Sequence, residues 1–237
     1  MITFYYRLTP NPMKVALFLE EAGLPYELMP VDTRKGEQHR PEFLALNPNG
    51  KVPVIVDHEA GATVFDSNAI LLYLAEKTGR FLPENTPAAR GELLSWLMFI
   101  ATGVGPFSGQ AVHFKRDAPD PKEYALNRYL FEARRHYTVL DERLSTRPYL
   151  VGNAYTIVDM ATWGWARSVP LILGDDAWSG FPHLKRLLDE ISARPAAQRT
   201  AMLKDRHIFK TEMDEEARQH LFQYLKTQVD WPRYTPT

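Results

Sequence analysis

The chain has 237 residues and a formal charge of -1, with both signs of charge interspersed along its length. That balance gives no sign of the basic surface of a nucleic-acid binder or the basic patch of a membrane-surface protein. The absence of cysteine from these residues excludes disulfides, thiolate metal sites and a cysteine nucleophile.

Residues 1–7 lack a basic start with a following apolar run, and no stretch approaches the roughly 20 apolar residues of a membrane span, so a cytoplasmic protein without a leader is expected. Residues 3–7 are rich in β-formers and predict a first strand, which Thr9-Pro10-Asn11-Pro12 ends. Helical spacing of Val15, Phe18, Leu19 and Ala22 predicts a helix over 14–22, closed by Gly23. A second strand over 26–31 completes a strand–helix–strand unit of a length that suits parallel pairing. A short helix over 40–46, strands over 52–57 and 62–65 and a helix over 67–77 follow, with Gly79 beyond the last. The polar stretch 82–87, with two prolines, marks a boundary between a unit at 1–81 and one at 88–237.

The second unit is helical in pattern throughout. Helices are expected over 88–115, 122–144, from Thr156 onward and over 181–193, with an amphipathic tail helix over 212–228 and irregular residues at 231–237. Thr156 and Asp159 have capping-box spacing, a device for starting a helix. Gly103 to Gly109 imitate a dinucleotide loop at the wrong spacing and inside a helical run, so they predict a kink. The seven histidines show no paired metal-ligand spacing. Phe107, Phe114, Trp163 and Trp165 suit either the core or an acceptor pocket.

Three segments of the first unit converge if its βαβ–α–ββα order holds. Thr9-Pro10-Asn11 lies where a strand meets a helix start, whose N–H groups and dipole favour an anion such as a thiolate; the Thr9 hydroxyl and the Asn11 amide can each donate to sulfur. The plainer reading is that one of them caps the helix. Lys51-Val52-Pro53 opens a strand; a cis proline there exposes the Val52 backbone for pairing with an extended peptide, whereas a trans one is an edge device. Ser67 at a helix start can hold a carboxylate and Asp66 an ammonium, the two ends of an amino-acid head group, or Ser67 is an ordinary cap beside an incidental acid.

Together these segments describe a site for a sulfur-bearing peptide. Asn49-Gly50-Lys51-Val52-Pro53-Val54, Asp66-Ser67-Asn68-Ala69-Ile70-Leu71-Leu72-Tyr73-Leu74 and Thr156-Ile157-Val158-Asp159 resemble the glutathione transferase superfamily over roughly residues 1–205. The resemblance implies an N-terminal thioredoxin-like domain followed by a C-terminal helical bundle, with an extension from about residue 205. The missing cysteine excludes cysteine-type members, and a tyrosine-type site needs Tyr5 or Tyr6, strand neighbours of which at most one faces the ligand. Thr9-Pro10-Asn11, Lys35-Gly36, Arg40-Pro41-Glu42-Phe43-Leu44, Gly105-Pro106 and Gly109-Gln110 are similar to the nu class and to the yeast nitrogen regulator with a transferase-like domain.

That resemblance implies a glutathione-dependent disulfide reductase with peroxidase or transferase side activity. It takes glutathione as cosubstrate, no metal, and a small-molecule disulfide or electrophile as partner, in a homodimer. It assigns Thr9 and Asn11 to the sulfur, Gln38 and Lys51 to the glycyl end, the Val52 backbone beside Pro53 to the cysteinyl unit, and Asp66 and Ser67 to the γ-glutamyl head. Gln110 and Arg128 are assigned to the ligand or to a second glutathione. A conjugating transferase and a non-catalytic regulatory or assembly module are the rival readings.

Overall fold

The computed structural model describes residues 1–118 and 122–223. Its sheet has the strands β1 (Ile2–Tyr6), β2 (Tyr26–Pro30), β3 (Val54–Asp57) and β4 (Ala62–Phe65) in the order β2-β1-β3-β4. β1 runs parallel to β2 and antiparallel to β3, with Phe4 opposite Leu28 on one side and Ile55 on the other. Alternation along β1 gives the sheet two apolar faces. Ile2, Phe4 and Tyr6 join the main core, whereas Tyr5 packs with Val31, Phe43 and Val54 on the opposite face.

Helices α1 (Pro10–Ala22) and α3 (Ser67–Thr78) cover the main face, and α2 (Pro41–Leu44) brings Phe43 to the other. α1 begins four residues before the predicted start. Pro10 and Pro12 do not precede the helix; they lie in its first turn, where N–H groups have no intrahelical partner and the fixed proline φ is already helical. α1 and α3 both end on left-handed glycines, Gly23 at φ 65° and Gly79 at φ 66°. The Val52–Pro53 peptide is cis.

The helical part begins with α4 (Pro87–Phe99) and α5 (Gly105–Val112), separated by a π-helical turn, Ile100–Val104, and followed by a second, His113–Asp117. The predicted kink is therefore a change of helical pitch. Its glycines serve packing: a Cβ on Gly103 would lie 2.3 Å from His136 Nε2. α6 (Glu123–Leu144), α7 (Ile157–Ala166), α8 (Val169–Leu173), α9 (Pro182–Ser192), α10 (Pro195–Ala201) and α11 (Glu215–Leu221) complete it. α11 covers part of the expected tail helix; residues 224–237, including the rest of that helix and the irregular end, lie outside the described residues.

α7 is buried at every position and joins the two parts. Its capping box forms: Asp159 accepts from the Thr156 N–H at 2.8 Å and from the Leu150 N–H at 2.9 Å. Burial pushes the Asp159 carboxyl up to about 6 despite these bonds. Across the junction, Phe81 packs edge-on against Phe18 and Tyr155, and Arg194 forms a two-pronged pair with Glu21. Each large apolar side chain removed from water here, Phe18 among them, contributes about 1.5–3 kcal/mol.

Lys14 of α1 is also in this core, 1% exposed, with its Nζ donating to Asn68 Oδ1 of α3 at 2.8 Å. Burial lowers its pKa to about 7, the Asp66 carboxylate acting the other way. The unfolded value is near 10.4, so between about pH 7 and pH 10 the unfolded chain holds a proton that the folded chain does not. Stability therefore rises with pH across that window. Urea unfolding at about pH 7 and about pH 9 should show the native protein gaining on a Lys14→Met variant by up to about 1.4 kcal/mol per pH unit. Parallel pH dependences for the two proteins would contradict the burial of an ionisable Lys14.

Candidate functional site

Thr9 occupies the cap position of α1, extended at φ -122° and ψ 161°, yet its side chain makes no capping bond. The sequence accounts for part of this: a cap hydroxyl bonds the N–H of the second or third helical residue, and the third is Pro12, which has none, so only the Asn11 N–H is left to it, and Thr9 does not take it. Pro10 lacks one too, and the Met13 N–H is taken by the Thr9 carbonyl at 3.1 Å. Among the three residues of the first turn only Asn11 can offer a backbone N–H, so the donors at this helix end are fewer than a generic helix start provides. The Thr9 hydroxyl is left unused by the helix. The Asn11 side chain does not cap either: its Oδ1 accepts the indole N–H of Trp165 at 3.0 Å.

Asp66, not Ser67, is the cap of α3. Asp66 has the non-helical backbone, φ 67° and ψ 122°, and its Oδ1 accepts the N–H groups of Asn68 at 2.9 Å and Ala69 at 3.1 Å. Aspartate caps as well as serine does. Ser67 is therefore the first helical residue and is 4% exposed. Lys14 and Asn68 lie beneath this helix start, with Asp66 exposed above it. Lys51 is exposed, its carbonyl accepting the Asn47 amide at 2.6 Å, directly before Val52 and the cis Pro53.

A cavity of about 560 Å³ adjoins Thr9. Trp165, Val112 and Leu171 give it apolar walls, and Arg7, Arg34, Arg116 and Lys210 line it with positive charge. Gln110 and Arg128 are not among its lining residues: Gln110 is exposed on α5, and Arg128 is exposed on α6 with Glu132 3.6 Å away. Of the four aromatics flagged in the sequence, only Trp165 reaches this cavity. Phe107 stacks on His136, Phe114 stacks on Tyr129, and Trp163 donates to Ser192 in the core. Tyr5 and Tyr6 are also committed elsewhere. Tyr5 packs on Phe43, and the Tyr6 hydroxyl meets His207 Nδ1 at 2.9 Å. Among the described residues no group of three or more His, Asp or Glu side chains is placed to hold a metal ion.

The tail supplies the part of the site that sequence reasoning missed. Phe209 packs edge-on against Tyr6 and forms a wall of the cavity. Asp32, 5% exposed after β2, pairs with Arg7 and accepts the Lys210 N–H at 2.6 Å. Burial alone would raise its carboxyl; the Lys210 N–H and the Arg7 guanidinium outweigh that and hold it below the usual range. Arg7 and Arg34 donate to the Lys210 carbonyl, at 2.9 and 3.2 Å. Further on, the His220 carbonyl receives Gln38 Nε2 at 3.2 Å and His39 Nε2 at 2.9 Å, and Arg218 reaches the Asp117 carbonyl at 2.6 Å. Gly36, at φ 77°, makes room for this: a Cβ there would sit 2.4 Å from His220 Nδ1. Gln38 is thus 4% exposed and bonded to the tail, with its Oε1 buried and unpartnered among the described residues. No local pattern flags a backbone carbonyl as a partner, so this closure is not legible from sequence.

The family model described as the glutathione S-transferase N-terminal domain matches residues 1–76, and that of the C-terminal domain matches residues 100–195. The disulfide-bond oxidoreductase YfcG of Escherichia coli (strain K12) is 45% identical over 201 residues, covering 83% of this chain and 92% of the relative. The disulfide-bond oxidoreductase YghU of the same organism is 39% identical over 208 residues, covering 81% of this chain and 70% of the relative. Among solved structures, a glutathione transferase of Pseudomonas putida with one glutathione disulfide bound per subunit matches with a TM-score of 0.80 at 36% identity, covering 86% of this chain and 91% of that one. One of Burkholderia graminis with two glutathione molecules bound per subunit matches with a TM-score of 0.80 at 37% identity, covering 87% and 89%.

The tail's attachment has a direct test. Asp32→Ala removes the acceptor of the Lys210 N–H and leaves the buried Arg7 without its carboxylate partner, at a cost of about 3–5 kcal/mol. Hydrogen exchange at the Lys210 amide should accelerate well beyond what the global loss of stability accounts for. Exchange at Lys210 that slows or holds steady would show that Asp32 does not anchor this segment.

Proposed function

From the premise that the chain belongs to the glutathione S-transferase family, we propose that it is a glutathione-dependent thiol–disulfide oxidoreductase of nu-class type, with peroxidase or conjugating side activity. The observation that carries this reading is the start of α1: an uncapped Thr9 hydroxyl beside an Asn11 amide whose oxygen is already engaged. Both groups then present donors, and a thiolate is an acceptor.

A free thiol has a pKa near 8.5, and the thiolate is the attacking form. Thr9 and Asn11 donate to the sulfur of bound glutathione and favour its ionised state, with the end of the α1 dipole adding to the effect. Asp66 and Ser67 hold the γ-glutamyl head, the Val52 backbone the cysteinyl unit and Lys51 the glycyl carboxylate. Gln38 serves the glycyl end once its bond to the His220 carbonyl is exchanged, while Gln110 and Arg128 meet a second glutathione only after rearrangement. The thiolate displaces one sulfur of the acceptor disulfide, which leaves as a thiolate and takes a proton. A second glutathione thiolate then displaces the other acceptor sulfur, giving two acceptor thiols and glutathione disulfide.

The cavity beside Thr9 is the acceptor pocket in this proposal, its apolar wall of Val112, Trp165 and Leu171 facing cations of which Arg7, Arg116 and Lys210 are already paired with Asp32, Asp117 and Asp214. The relatives named for disulfide-bond oxidoreduction support the disulfide over other acceptors. The working form is a cytoplasmic homodimer; no helix among the described residues is long and apolar enough to cross a membrane.

Reduction of bis(hydroxyethyl) disulfide by glutathione, measured beside conjugation of an aromatic halide, tests the proposal. Disulfide reduction should dominate; the reverse order would make the chain a conjugating transferase. Thr9→Ala and Asn11→Ala should each lower kcat/KM for the disulfide roughly tenfold to a hundredfold, the loss of one hydrogen bond to a charged group. Undiminished turnover in both variants would remove the two residues from the chemistry.

A further inference from the structure

We propose that Trp165 is a positioning residue that fixes the Asn11 amide as a donor toward the glutathione sulfur. The inference rests on the assignment of Asn11 to the thiol. A primary amide has two unlike ends, an oxygen that accepts and an NH₂ that donates, and in isolation nothing chooses between them. An indole N–H can only donate. At 3.0 Å from Trp165 Nε1, the Asn11 side chain must turn its oxygen to the indole, which leaves the NH₂ as the end available to a sulfur. The opposite orientation would set a carbonyl oxygen against a thiolate and raise the thiol pKa instead of lowering it.

The indole is itself held in place by bare backbone. A Cβ on Gly105 would lie 3.1 Å from Trp165 Nε1 and one on Gly109 would lie 3.6 Å from its Cη2, so α5 passes directly against the ring. Gly164, the residue before the tryptophan, brings α7 onto α1: a Cβ there would fall 2.8 Å from the Pro10 carbonyl oxygen and 3.1 Å from Lys14 Cβ. Three glycines on two helices thus set one ring against one amide, 154 positions apart in the chain. The ring is 9% exposed and borders the cavity beside Thr9, whereas Asn11 is not among the residues that line that cavity, so in this proposal the N–H of Trp165 acts on the sulfur only through Asn11.

Steady-state disulfide reduction over a range of pH separates this role from simple packing. Trp165→Phe keeps an aromatic ring and removes the N–H. It should lower kcat about tenfold, the worth of one hydrogen bond, with KM for glutathione little changed, and move the acidic limb of the kcat profile at saturating glutathione to higher pH. In an Asn11→Ala background the same change should have almost no effect, because its target is gone. Asn11→Asp offers the second variant and leaves the tryptophan undisturbed. With only acceptor atoms it should turn over more slowly than Asn11→Ala. An unshifted pH profile in Trp165→Phe, an equal loss with and without Asn11, or Asn11→Asp matching the native protein would each overturn the proposal. Native turnover in Asn11→Ala alone would instead overturn the underlying assignment of Asn11 to the thiol.

Discussion

Two prolines in the first turn of α1 set what this site can do. Pro10 and Pro12 remove two of the four N–H groups that a helix start leaves without an intrahelical partner, and with Pro12 goes one of the two that a cap hydroxyl can bond. The helix end is thereby depleted as a generic anion cradle, and in the proposed mechanism the work passes to two side chains. The Thr9 hydroxyl makes no capping bond, and Asn11 has its oxygen taken by Trp165. Donors aimed by packing at the place where negative charge develops need no reorganisation when it appears.

The position of those donors depends on how α1 is wedged. On one side Lys14 is sunk between α1 and α3 and bonded to Asn68, one residue after the Asp66–Ser67 pair at the start of α3. On the other side Gly164 allows α7 to touch the α1 backbone, and the fully buried capping box of Thr156 and Asp159 fixes where α7 begins. A buried lysine bonded, among the described residues, to a single amide is a costly way to join two helices. It becomes intelligible where the same two helix starts carry the groups assigned to the sulfur and to the head group, because α1 and α3 must then keep one spacing. The tail adds a third constraint, tying Asp32, Gln38 and His39 of the α/β part to Lys210 and His220 and walling the cavity with Phe209.

Much of the fold was legible in the sequence because periodicity and punctuation agree there. The βαβ–α–ββα order, the glycines that end α1 and α3 and the capping box of α7 are local signals that the structure repeats within a few residues. The errors also have local causes. Thr9-Pro10-Asn11-Pro12 has the pattern of a break and hides the start of α1, although the first turn of a helix tolerates prolines. Asp66 and Ser67 are both residue types that cap helices, and local sequence does not choose between them; the positive φ of Asp66 makes it the cap of α3. Lys14 was invisible because nothing in a heptad of sequence distinguishes a buried lysine from a solvated one. The Trp165–Asn11 bond and the tail's carbonyl contacts join residues 154 and 182 positions apart and leave no trace in local pattern.

The central claim is that the chain, having no cysteine of its own, ionises a sulfur that arrives with the ligand. Titration of the ultraviolet thiolate absorbance of glutathione bound to the purified protein tests it most directly. The account predicts ionisation at least about one unit below the free value near 8.5, with that depression diminished when Thr9 or Asn11 is replaced by alanine. A bound thiol that titrates where the free one does would contradict it.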